Sequence, residues 1–131
     1  MKNDFYRSFL MSLPDGLKKD VGYILLQHRG SEMAIPRIQL VGLLAGKYRK
    51  IKDIDRAIRL VISQLRDEHW MIGMSHSGDG YFIVTNMEEF ESFIADYTER
   101  AYTVIEKSKR MRETALQVFG VKKPTQMSLI N

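Results

Sequence analysis

The sequence predicts a mainly α fold that carries a small β-hairpin. Three observations lead there: apolar residues recur at three- and four-residue steps, two β-prone runs flank a glycine-bearing turn at 75–80, and an unbroken helical pattern runs over 86–119. The 131 residues, 44% hydrophobic and 27% charged, describe one globular domain with an appended element and exclude a disordered chain.

The first strong helical pattern follows Pro14-Asp15-Gly16, where Leu17, Val21, Ile24, Leu25 and His28 share a face and Gly30 stands ready to stop it. Met33-Ala34-Ile35 is expected to be extended, restricted by the proline behind it. Pro36 suits the first turn of a second helix, with Ile38, Val41, Gly42 and Ala45 as its buried stripe and Gly46 as its end. Asp53 is a good cap for a third helix, whose Ile54, Ile58, Val61, Ile62 and Leu65 mark one apolar face. On the other side, Arg56, Arg59, Ser63 and Arg66 follow one another by three, four and three residues. That spacing predicts a single exposed face with three guanidinium groups pointing the same way. Lys47, Arg49, Lys50 and Lys52 add positive charge just ahead of it.

The period then changes. Trp70-Met71-Ile72-Gly73-Met74 and Tyr81-Phe82-Ile83-Val84 read as a hairpin around Ser75-His76-Ser77-Gly78-Asp79-Gly80, a polar tip without Lys or Arg. From Thr85 or Asn86 as cap, a long helix is expected to about Phe119, with Glu88, Glu89 and Glu91 favourably placed at its start. Its stripe is Phe90, Ile94, Tyr97, Ala101, Val104, Ser108, Met111, Ala115 and Val118, alternating steps of four and three as a packing seam does. Small residues at Ala101, Ser108 and Ala115 let a partner helix approach closely. Gly120 and Pro124 end the helix and leave a short tail. The expected divisions are therefore 1–85, 86–119 and 120–131.

Helix, short strand, helix, basic helix, hairpin is the order of a winged helix-turn-helix, here followed by a long C-terminal helix. In that motif the third helix enters the major groove and the surrounding cations hold phosphates. The sequence also resembles winged-helix proteins of bacteriophages and prophages in which one long helix follows the wing. The resemblance is carried by Asp55-Arg56, Ile58-Arg59, Ile62, Leu65-Arg66, Ile72, Ser75 and Gly80-Tyr81-Phe82-Ile83, continues into Glu89, Arg100 and Ile105, and covers roughly residues 15–115. It departs at His69, where that family commonly has glycine between helix and wing. It implies a non-enzymatic protein of DNA replication or transcriptional regulation.

The formal charge of +4 is unevenly spread: residues 36–69 hold 8 Lys and Arg against 4 Asp and Glu. Closely spaced cations add their potentials within a Debye length, so this segment points to an anionic partner, double-stranded DNA. Arg56 and Arg59, nearest the helix N-terminus, are the base-reading candidates. Lys47, Arg49, Lys50 and Lys52 are phosphate contacts, and Ser63 and Arg66 complete the face. The plain alternative is a solvated helix face with Asp55 and Asp67 as local ion-pair partners. His76 is a weak minor-groove candidate, because wings that enter that groove usually carry Arg or Lys.

Catalysis, cofactors and metals are not expected. The chain has no Cys, its three His are scattered, and no nucleophile elbow or phosphate-binding glycine loop is present. No apolar run approaches the length of a membrane span and no signal sequence is evident, so the expected location is the cytoplasm of a bacterial host cell. The seam of Tyr97, Ala101, Val104, Ser108, Met111 and Ala115 either folds back on its own domain or forms a homodimer, which one small domain's inability to cover it favours. Finally, Gln126-Met127-Ser128-Leu129-Ile130 resembles the bacterial sliding-clamp-binding peptide, with Ile130 in place of the usual Phe. The other reading of those residues is a frayed tail. A protein-interaction winged helix that binds a replication or transcription factor, including the clamp through its tail, is the alternative function.

Overall fold

The computed structural model describes residues 2–120, with side chains from Phe5 onward. It is mainly helical with a small three-stranded antiparallel sheet. The elements are α1 (Lys2–Met11), α2 (Leu17–Leu25), a single 3-10 turn (Ser31–Met33), β1 (Ile35–Pro36), α3 (Arg37–Ala45), α4 (Ile54–Asp67), β2 (Ile72–Met74), β3 (Gly80–Ile83) and α5 (Met87–Phe119). Residues up to Phe93 form one compact unit, and α5 from Ile94 belongs to a second.

The first unit closes around Val21 and Leu25 of α2, Leu40 and Leu44 of α3, Ile58, Ile62 and Leu65 of α4, and Ile35, Ile72 and Ile83 of the sheet. The hairpin expected from the glycine-bearing turn forms, with Ile72 opposite Ile83 and Met74 opposite Tyr81. A third strand joins it: Ile35 pairs with Tyr81 on the far side of β3. The extended stretch is shorter than the proline constraint suggests, since Met33 closes the 3-10 turn and only Ile35 and Pro36 are strand. Gly73 lies under the ring of Phe82, its cross-strand neighbour. A Cβ there would come within 2.6 Å of Phe82 Cζ, so the absence of a side chain makes room for the ring.

Helix α1 has no counterpart among the elements expected from sequence. Tyr6 and Leu10 are buried against Trp70, with the Tyr6 and Trp70 rings 4.6 Å apart and Phe9 meeting the same indole edge-on at 5.8 Å. The Met71 amide also donates to Tyr6 Oη at 3.3 Å. Close approach of α1 depends on Gly22: a Cβ at that position of α2 would sit 2.5 Å from Leu10 Cδ2 and 3.2 Å from Trp70 Cη2.

The stripe of α3 is corrected. Leu40 and Leu44 are buried, whereas Ile38 is 83% exposed and Gly42 faces open space. This helix is apolar nearly all round, so periodicity alone does not select the buried side. Pro36 stands at the cap position, one residue ahead of the first turn, with φ −59° and ψ 142°. Among the described residues, no helix is long and apolar enough to cross a membrane.

Candidate nucleic-acid interface

Helix α4 is the most strongly amphipathic element, and its start is fixed by the residue expected to fix it. Asp53 Oδ1 accepts the Arg56 amide at 3.0 Å, satisfying a donor that the helix itself leaves free. Ile58, Val61, Ile62 and Leu65 turn inward, and Arg56, Arg59, Leu60 and Ser63 turn to solvent. Arg59 also reaches back one turn to Asp55, Nε to Oδ2 at 3.6 Å, and Arg37 from the start of α3 meets the other oxygen of that carboxylate at 3.3 Å. Asp55 is thereby paired with two guanidinium groups whose side chains remain about half exposed.

Arg66 does not share the solvent face. A three-residue step falls about 60° short of a full helical turn and a four-residue step overshoots by about 40°. From Arg56 to Arg66 the series therefore drifts about 80° around α4. At that angle Arg66 borders the sheet: its Nε donates to the Ile72 carbonyl at 3.0 Å and its guanidinium lies 5.4 Å from the centre of the Phe93 ring. The expectation of three guanidinium groups in one direction is thus corrected to two.

The basic loop between α3 and α4 is anchored at one end. Tyr48 packs on the core and donates its hydroxyl to Asp20 Oδ2 of α2 at 2.5 Å, while Lys47 Nζ meets the same oxygen at 2.8 Å. Burial raises the Asp20 pKa, but hydrogen bonds from Lys47 and Tyr48 outweigh it and hold the carboxyl below its ordinary value. The hydrogen bond to Asp20 raises Lys47 in turn. Lys47, though exposed, is therefore paired within the fold, and Arg49, Lys50 and Lys52 are the other exposed cations of the loop. Sequence reasoning overlooked both Asp20 and Arg37. For Arg37 the signal was its place in the basic segment; for Asp20, an ordinary acidic residue in a helix's first turn, there was none.

The hairpin tip is held by its own polar groups. Ser77 Oγ donates to Asp79 Oδ1 at 2.5 Å, the Gly80 amide donates to Ser75 Oγ at 3.1 Å, and Gly78 takes φ +83°. The hydrogen bond from Ser77 lowers the Asp79 pKa, so the tip carries a carboxylate. His76 lies near Ser92 of α5, Nε2 to Oγ at 3.4 Å.

The start of α5 is clasped onto this unit by Glu89. Asn86 Oδ1 accepts the Glu89 amide at 2.8 Å as a helix cap, while the Glu89 carboxylate accepts the Thr85 amide at 2.9 Å and the Ser31 amide at 2.7 Å. Burial pushes the Glu89 carboxyl up, but these hydrogen bonds prevail and set its pKa below the ordinary value.

In the second unit, Tyr97, Ala101, Val104 and Met111 are exposed, and Ser108 and Ala115 are half-buried. Residues Gln126, Met127, Ser128, Leu129 and Ile130 lie outside the described residues. No group of three or more His, Asp or Glu that could hold a metal occurs among the described residues. No protein-family model matches the chain, and no curated protein or solved structure matches it either.

Proposed function

We propose that the chain is a non-enzymatic winged-helix protein of the phage or prophage type, which binds double-stranded DNA as a homodimer in the cytoplasm of a bacterial host. The observation that carries the proposal is the pairing of two exposed arginines, Arg56 and Arg59, near the capped start of α4 with Arg49, Lys50 and Lys52 in the loop just before it. In this reading α4 enters the major groove with Arg56 and Arg59 at base edges, and the loop cations and the helix N-terminus face phosphates. The acidic hairpin tip stays away from the duplex. Binding should weaken steeply with salt through counterion release. Reversal of both arginines, Arg56→Glu with Arg59→Glu, should abolish it while the fold survives, which circular dichroism checks. Duplex binding that persists in that variant would contradict the proposal.

A second reading rests on a separate observation. Ile38 and Leu43 of α3 and Leu60 of α4 are 83%, 58% and 59% exposed, an apolar complement that suits a protein partner in replication or transcription. Under that reading the domain captures such a factor and the arginines are solvating charges. Absence of duplex binding at low salt, with Leu60→Ser and Ile38→Ser abolishing association with a replication or transcription factor, would establish it. The sliding clamp is a candidate partner through residues 126–130, tested by competition between a tail peptide and other clamp ligands.

A further inference from the structure

We infer that residues 94–118 of α5 pair with the same residues of a second copy in the antiparallel sense, about a two-fold axis beside Glu106. This rests on the homodimer in the proposed function and adds its direction and register.

The seam has two kinds of position. One position of each heptad holds Ile94, Ala101, Ser108 and Ala115, and the other holds Tyr97, Val104, Met111 and Val118. The second set is large and exposed: Tyr97 46%, Val104 66%, Met111 67% and Val118 66%. Among the described residues of α5 none is fully buried, and the seam is half-buried to exposed along its length.

The alternation of small and large decides the direction. Parallel pairing stacks like on like, so a layer of two alanines that draws the helices together alternates with a layer of two bulky residues that holds them apart. Antiparallel pairing places each residue of the first set opposite one of the second. Ala101 then faces Met111 of the second copy, Ser108 faces Val104, Ala115 faces Tyr97, and Ile94 faces Val118. Three of the four layers join one small residue to one large one, and the helix separation stays even along the seam.

The register is determined by the same pattern, because in this alignment all eight seam positions have a counterpart. A slip of seven residues one way leaves Ile94 and Tyr97 of each copy with no seam residue opposite; the other way it sets Val118 against Met87 and Ala115 against Phe90, which is half-buried and belongs to the first unit. The flanks agree with the direction. Parallel pairing sets Lys107 across from Arg112 of the second copy on both edges. The antiparallel form brings Ile105 against its own counterpart on one edge and Arg100 towards Thr114 on the other, leaving a single Lys107 pair near the axis.

The absence of cysteine from the natural chain makes a direct test simple. Full-length Ala101→Cys and Met111→Cys are oxidised separately and as an equimolar mixture, with helicity and duplex binding measured on the same samples. Val104→Cys with Ser108→Cys serves as a second pair should the first disturb the fold. In antiparallel pairing, identical positions of the first pair lie about 15 Å apart along the axis, beyond a disulfide. The expected result is a doubling of mass under non-reducing conditions in the mixture and none in Ala101→Cys or Met111→Cys alone. Cross-linking of each variant with itself would establish a parallel dimer and overturn the inference while leaving the dimer intact. Sedimentation as a monomer at micromolar concentration would overturn the dimer as well, and a dimer without cross-links would place its interface elsewhere. Duplex binding reads independently of all three.

Discussion

Arg56 and Arg66 occupy the same helix, yet the first faces solvent and the second is bound to the Ile72 carbonyl and the Phe93 ring. Their alanine variants should separate cleanly. Arg56→Ala is expected to weaken duplex binding by about 1–3 kcal/mol with little change in thermal stability, as loss of a base contact does. Arg66→Ala should lower unfolding stability by about 1.5–3 kcal/mol, the range for a hydrogen bond to a charged group, with duplex affinity nearly unchanged. Equilibrium denaturation and DNA titration of both variants check the pair. Lys47 differs from Lys50 in the same way: Lys50→Ala should reduce the salt slope of binding by about one, and Lys47→Ala by less because Asp20 already holds that ammonium.

Two carboxylates set a pH dependence at this scale. Asp20 and Glu89 both have pKa values below the ordinary ones in the folded chain. Groups of that kind stabilise the fold above their unfolded pKa, and the contribution is lost as pH falls through the folded pKa. Stability should therefore decline from about pH 5 downward, where unfolded carboxylates begin to take up protons. Asp20→Asn and Glu89→Gln should each flatten that decline while lowering stability at neutral pH. Denaturation midpoints measured between those conditions decide it, and an unchanged slope in both variants would count against the role given to these groups.

At the scale of elements, legibility followed amphipathicity. Helix α4 was plain in the sequence because one side is Ile, Val and Leu and the other charged, and its cap was an Asp at the right place. The bounds of α3 follow from Pro36 and Gly46 but its buried side does not: Ile38, Leu40, Val41, Leu43 and Leu44 offer several equivalent stripes, and tertiary packing chooses Leu40 and Leu44, with Val41 half-buried beside them. Helix α1 did carry a signal, Tyr6, Phe9, Leu10 and Leu13 at helical spacing, but it was short and its partner Trp70 lies far along the chain. Long-range partners such as Ser31 with Glu89 leave no local trace at all.

A helix contact and a helix end give further predictions. Gly22→Ala places a methyl group against Leu10, and overpacking of this kind costs about 1–3 kcal/mol. Leu10→Ala alone should cost about 2–5 kcal/mol. In the double variant the new methyl occupies part of the space Leu10 vacates, so the combined loss should fall short of the sum. Helix α4 ends in a Schellman motif: the His69 amide donates to the Arg66 carbonyl at 3.1 Å and the Trp70 amide to the Leu65 carbonyl at 2.9 Å. His69 has φ +76°, a conformation that favours glycine. His69→Gly should therefore stabilise the fold by roughly 1 kcal/mol, and a lower melting temperature would refute that account.

For the whole molecule, total charge carried little information and its placement carried much. The excess over 36–69 resolves into cations with different employments: Arg66 and Lys47 are engaged within the fold, Arg37 and Arg59 share Asp55, and Arg49, Lys50, Lys52 and Arg56 face solvent. No one-dimensional count distinguishes these cases, because the partners come from α2, from α4 and from the edge of the sheet. The proposed DNA binding falls to the solvent-facing group, joined by Arg59. Its most direct test is the affinity of the full chain for duplex DNA over a range of salt concentrations, with and without Arg56→Glu and Arg59→Glu. With the loop cations Arg49, Lys50 and Lys52 on phosphates, log K should fall with log salt at a slope of about −3 per protomer. The double reversal should remove binding. An affinity that hardly responds to salt, or that survives the reversal in a folded protein, would contradict the account.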